Sequence, residues 1–148
     1  MAPTFFNAGD RESILSRLAQ LSPDARPKWG KLDAPRMVTH VTDAVRASLG
    51  ELALRPISSP IGYWPINVLV MFYLPWPKSA PTAPELLDRS PAAWADELVT
   101  LRATLDRFTA RDVNGEWTRH VAFGRISGQQ WGRLTYRHLD HHLTQFGV

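Results

Sequence analysis

The chain has 148 residues, 44% of them hydrophobic and 21% charged, which fits one domain with a core of its own. It has no cysteine, so disulfides, cysteine-ligated zinc and a catalytic thiol of its own are excluded. The formal charge is +3, and 17 basic residues are interleaved with 14 acidic ones rather than gathered in a block, which argues against a nucleic-acid footprint.

Residues 1–10 show neither the basic start nor the long apolar run of a secretion signal. The longest apolar run, residues 66–74, is interrupted by Asn67 and is too short to span a bilayer. A cytoplasmic protein that does not bind membranes is therefore expected.

A first helix is predicted from a cap at Asp10 to about Leu21, because Ile14, Leu15, Leu18 and Leu21 repeat at helical spacing before Ser22-Pro23-Asp24. Trp29-Gly30-Lys31 falls in the loop that follows. A second helix is predicted from a cap at Asp33, with Pro35 tolerated in its first turn, to about Leu49 and Gly50. Met37, Val38, Val41, Ala44 and Val45 form its buried stripe, and His40 lies beside that stripe. His40 is either a helix-edge histidine bonded to water or a carbonyl, or a ligand. Asp43, one turn on, reads chiefly as a surface carboxylate, with a role in orienting a histidine as the other option.

Residues 66–74 read as a buried helix begun near Pro65 and ended before Pro75. Pro75, Pro77, Pro81 and Pro84 then mark a stiff, extended connection. Ser90-Pro91 is read as the cap and first position of another helix, along which Trp94, Leu98, Leu101, Leu105 and Phe108 step by four and three. Asp112-Val113-Asn114-Gly115 ends it in a turn. A loop containing His120 and Phe123-Gly124 leads to the last helix. These elements make an all-α protein, a four-helix bundle with long connections and one added apolar helix. Six tryptophans and that apolar helix make a homodimer the expected assembly.

The last helix carries three of the five histidines. Ser127 and Gln130 have the spacing of a capping box, and Gly147 can end the helix. At about 100° per residue, Trp131, Leu139, Leu143 and Phe146 fall on one side; Arg133, Arg137, Asp140 and Thr144 fall on the other. His142 lies in the apolar arc, His138 at its edge, and His141 faces outward. Two imidazoles one turn apart can hold one metal ion but need a third ligand from elsewhere. No HExxH pattern, carboxylate-bridged pair, nucleophile elbow or phosphate loop competes with this reading.

The closing residues 131–148, reading WGRLTYRHLDHHLTQFGV, resemble the C-terminus of DinB-like, YfiT-like metalloenzymes, in a branch that is a domain of unknown function. Trp29-Gly30-Lys31, His40, Pro75-Trp76-Pro77-Lys78 and His120 with Phe123-Gly124 fit the same pattern from Arg11 onward. Val121 departs from it, standing where a proline follows the histidine. The resemblance implies a four-helix bundle holding one divalent metal, zinc or nickel, on His40, His138 and His142. It also implies a small-molecule substrate and a low-molecular-weight thiol as co-substrate, as in the family's bacillithiol transferases and mycothiol-dependent maleylpyruvate isomerase. Metal-dependent hydrolysis and a non-catalytic bundle with a structural or empty site are the alternatives.

Overall fold

The structure, a computed structural model, describes residues 1–78 and 80–148. These residues form five α-helices: α1 (Ala8–Leu18), α2 (Ala34–Ser48), α3 (Ile66–Phe72), α4 (Trp94–Ala110) and α5 (Gly128–Gln145). Short 3-10 turns lie at Pro60–Gly62 and Pro84–Leu86. No strand is present among the described residues; His120 and Gly124 pair only as an isolated bridge.

Two helix starts differ from expectation, each because another group wins the free N–H bonds. Helix α1 begins three residues earlier, since Asn7 Oδ1 accepts the Asp10 N–H at 3.0 Å. Asp10 itself turns back and accepts the Thr4 N–H at 2.9 Å. Helix α4 begins at Trp94 rather than at Ser90-Pro91, and the Glu97 carboxylate reaches back to the Ala92 N–H at 2.8 Å. The other two caps are as read. Asp33 accepts the Arg36 N–H at 2.8 Å. Ser127 and Gln130 bond reciprocally, at 3.2 and 2.8 Å. Gly50 and Gly147 follow their helices with φ of 80°, the left-handed conformation that suits glycine.

Helix α2 packs on α4 and α5, while α1 and α3 pack on α5. The core is drawn from all of them, including Ile14, Met37, Val38, Val41, Met71, Leu101, Leu105, Phe108, Leu139 and Leu143. Each such side chain contributes roughly 1.5–3 kcal/mol by leaving water. Aromatic rings gather around Phe108 of α4: Phe6 stacks on it at 5.1 Å, and Trp117 meets it edgewise at 5.1 Å. Phe6 also requires Gly132 on α5, where a Cβ would stand 2.4 Å from its ring.

Helix α3 corrects the expectation of a buried helix. Only Asn67 and Met71 are buried. Trp64, just before it, is 80% exposed, and Tyr73, just after it, is 68% exposed. A run that is apolar all round covers only the sides that face α5 and the Pro60–Gly62 turn. Ile66 and Leu69 stay exposed. The helix is tied down at its C-terminal end instead. The Arg137 guanidinium donates to the carbonyls of Val70, Met71 and Leu74, which lack helical partners of their own.

Candidate metal centre

Contact between α2 and α5 brings three imidazoles together. His40 sits on the inward face of α2 among Met37, Val38 and Val41, and it is buried rather than lying at an edge. On α5, His142 is buried in the apolar arc, whereas His138, one turn earlier, is half-buried at its margin. His138 Nε2 stands 3.1 Å from His40 Nε2 and 3.1 Å from His142 Nε2. The ring centres lie 4.8 to 5.0 Å apart, so the three rings form a nearly equilateral set.

That geometry fits a cation better than it fits hydrogen bonding. A neutral imidazole nitrogen either donates or accepts. His138 Nε2 faces two other ring nitrogens, so one proton serves only one of the two contacts. A tetrahedral zinc with nitrogens at about 2.0–2.1 Å would place each pair about 3.3–3.4 Å apart, close to the spacing here. His40, His138 and His142 are thus a group that could hold a metal ion.

The neighbours prepare the ligand form. Gln145 Nε2 donates to the Trp29 carbonyl at 2.8 Å, which leaves Gln145 Oε1 to accept from His142 Nδ1, also at 2.8 Å. The proton is therefore on Nδ1, and the Nε2 lone pair points into the cluster. Gly30 makes room for this contact: a Cβ there would lie 2.7 Å from Gln145 Nε2, and its φ is 82°. Burial lowers the His40 pKa, partly offset by the Leu86 carbonyl and the charge of Asp43. Burial, reinforced by the other histidines, holds His138 well below the usual histidine range. Burial pushes His142 down to about 3, with His40 adding to the shift and Gln145 opposing it. All three are neutral at neutral pH, as ligation requires.

Asp43 is neither a surface carboxylate nor bonded to a histidine. It is buried, with both oxygens 3.2 Å from Arg89 Nε and one 3.2 Å from Arg46. Arg89 also bonds buried Glu97 at 2.7 Å, linking α2, the proline-rich connection and α4. His120 lies outside the cluster. Its Nδ1 accepts the N–H groups of Ala122 and Phe123 at 3.0 and 3.1 Å, closing a tight turn that needs no proline. Burial pushes its pKa down to about 4. His141 is half-buried and turned away, with its ring centre 5.7 Å from that of Trp29 and 5.8 Å from that of Trp76.

Beside His141 is a cavity of about 220 Å³, lined by Trp29, Trp76, Arg137, Asp140, His141 and Thr144. Sequence reasoning missed Gln145 and this cavity. Gln145 had one usable signal, its position three residues after His142 on the same helical face. The indole walls come from two distant loops, which the resemblance had marked, but nothing in the sequence says that Trp29 and Trp76 meet at one cavity.

An all-helical protein whose second and last long helices share a three-histidine group able to hold a metal ion is the class that fold and site define. A model of the family described as "Protein of unknown function (DUF1569)" matches residues 6–147, and the chain belongs to that family. No curated protein and no solved structure matches it. Among the described residues, no helix is long and apolar enough to cross a membrane.

Proposed function

We propose that His40, His138 and His142 bind one divalent metal in a DinB-like four-helix bundle, and that the protein is a metal-dependent transferase using a small thiol. The observation that carries this reading is the convergence of three neutral Nε2 atoms, two of them 3.1 Å from the third. Helices α1, α2, α4 and α5 are the four long members of the bundle, with α3 added at one side. Three uncharged imidazoles suit zinc or nickel and leave the ion its full charge and an open position. Bound there, the metal would supply acidification of a thiol at neutral pH. The chain contributes no thiol, so the nucleophile enters as a co-substrate. Trp76 flanks His138, its ring centre 6.2 Å away.

The same reading takes the protein to be a homodimer joined through α3. Tyr63, Trp64, Ile66, Leu69, Tyr73 and Leu74 are all exposed there. Together they offer several hundred Å² of surface, approaching the roughly 800 Å² per partner of a standard interface.

The test is metal analysis of untagged protein, followed by thiol transfer to a chlorinated aromatic. About one equivalent of metal, and activity lost on chelation and in His138→Ala, is the expected result. Equal rates in all three preparations, across several thiols, would sink the transferase reading. Metal-dependent ester hydrolysis without added thiol would favour a hydrolase in its place.

A further inference from the structure

The cavity beside the histidines has a character of its own. Its floor is one stripe of α5, residues Arg137, Asp140, His141 and Thr144, at the spacing that shares a helical face. Its walls are the indoles of Trp29 and Trp76. Indole walls make favourable stacked or edge-on contacts with an aromatic or conjugated guest.

The charge around it is positive. Asp140 is held by Arg17 at 2.6 Å, so that pair is close to neutral. Arg137 donates to neutral carbonyls, and no carboxylate pairs with it among the described residues. Its guanidinium sits 4.7 Å from the centre of the Trp76 ring. Lys78 Nζ lies 5.1 Å from the centre of the Trp29 ring. Two cations set against the two aromatic walls, with Asp140 of the lining already paired to Arg17, attract an anion. The volume of about 220 Å³ is below the roughly 300–1,000 Å³ of drug-sized sites, so it suits one ring with a short acid group.

We infer that this cavity binds a small, flat organic anion, an aromatic or conjugated carboxylate, as the substrate that meets the thiol. Its role in transfer rests on the metal-dependent reading; binding itself does not. Trp76 belongs to both sites, with its ring centre 5.8 Å from that of His141 and 6.2 Å from that of His138. A guest between the indoles therefore lies next to the histidine group.

The experiment is calorimetric titration of benzoate, with neutral benzamide and non-planar cyclohexanecarboxylate as comparisons. It is run on metal-loaded protein, chelated protein, Trp29→Leu and Lys78→Ala, with metal content measured in every sample. Benzoate should bind about tenfold more tightly than either comparison, and each substitution should weaken it about three- to tenfold while leaving metal content unchanged. Benzamide binding as well as benzoate would overturn the anion assignment. Wild-type benzoate affinity in folded Trp29→Leu and Lys78→Ala would overturn the cavity assignment, the metal then being the anchor. Should Trp29→Leu fail to fold, exposed Lys78 decides alone. Benzoate binding by protein that takes up no metal would support the cavity and reject the metal reading, so the two failures are distinguishable.

Discussion

Replacing Gln145 with leucine keeps the bulk of the side chain and removes its amide. Two bonds of 2.8 Å disappear, one to His142 Nδ1 and one to the Trp29 carbonyl. Without the amide oxygen, His142 is free to carry its proton on Nε2, the atom that faces the cluster. Loss of a group that orients a metal-binding histidine weakens metal affinity by about 10–100-fold, or about 1.4–2.7 kcal/mol. The stranded Trp29 carbonyl adds a separate loss of about 1–3 kcal/mol in folding stability. Competition with a chromophoric chelator reads the first loss, and urea unfolding of chelated protein reads the second. Gly30→Ala reaches the same contact from the opposite side, through a Cβ placed 2.7 Å from Gln145 Nε2 and a strained φ of 82°. It should shift both readouts in the same direction. Wild-type metal affinity in folded Gln145→Leu would refute the claim that this amide selects the ligand tautomer of His142.

His142→Ala should abolish metal binding, whereas His141→Ala should leave it nearly unchanged; equal losses would show that the face of α5 has been misread. His120 is held down to about 4 by burial, against 6.5 when exposed, so it binds a proton more readily in the unfolded chain. Its contribution to stability is complete above pH 6.5 and is lost as pH falls through 4, at up to about 1.4 kcal/mol per pH unit. His120→Asn, whose amide oxygen can still accept the turn's N–H bonds, should flatten that part of the urea-stability profile between pH 7 and 5. An unchanged slope would place His120 in solvent. Trp64→Ser should convert a dimer to a monomer in light scattering at micromolar concentration, and a monomeric wild type would remove the α3 interface.

Legibility in the sequence followed how local each determinant was. The capping box of α5, the Asp33 cap of α2 and the face shared by His138 and His142 depend on residues within one turn of each other. All three stood in the sequence as they stand in the structure. The starts of α1 and α4 were harder, because several residues there compete for the same free N–H groups. Asn7 prevails over Asp10 in α1, and Ala93 with Glu97 behind it displaces Ser90 in α4. The exposure of α3 was not legible at all, since periodicity cannot say whether a second surface arrives to cover a uniformly apolar helix. Asp43 was misjudged for a related reason: its partner Arg89 lies 46 positions away in a loop. His40 could be nominated as a third ligand from its place on α2. That its ring meets the other two depends on the packing of α2 against α5.

His40 and His138 are 98 positions apart, and His138 and His142 only four. An ion held by all three would therefore act as a clasp as well as a reagent. Half of the clasp is preset on one helix, and the other half arrives only when α2 docks. A covalent bridge closing a loop of that length restricts the unfolded chain by about 4–5 kcal/mol. In a protein with no cysteine, a divalent ion would do the same work reversibly, with strength set by the free metal concentration. Each hundredfold excess of metal over its dissociation constant adds about 2.7 kcal/mol to the folded state. The supply of metal would then govern how long the folded protein persists, as well as whether it can react.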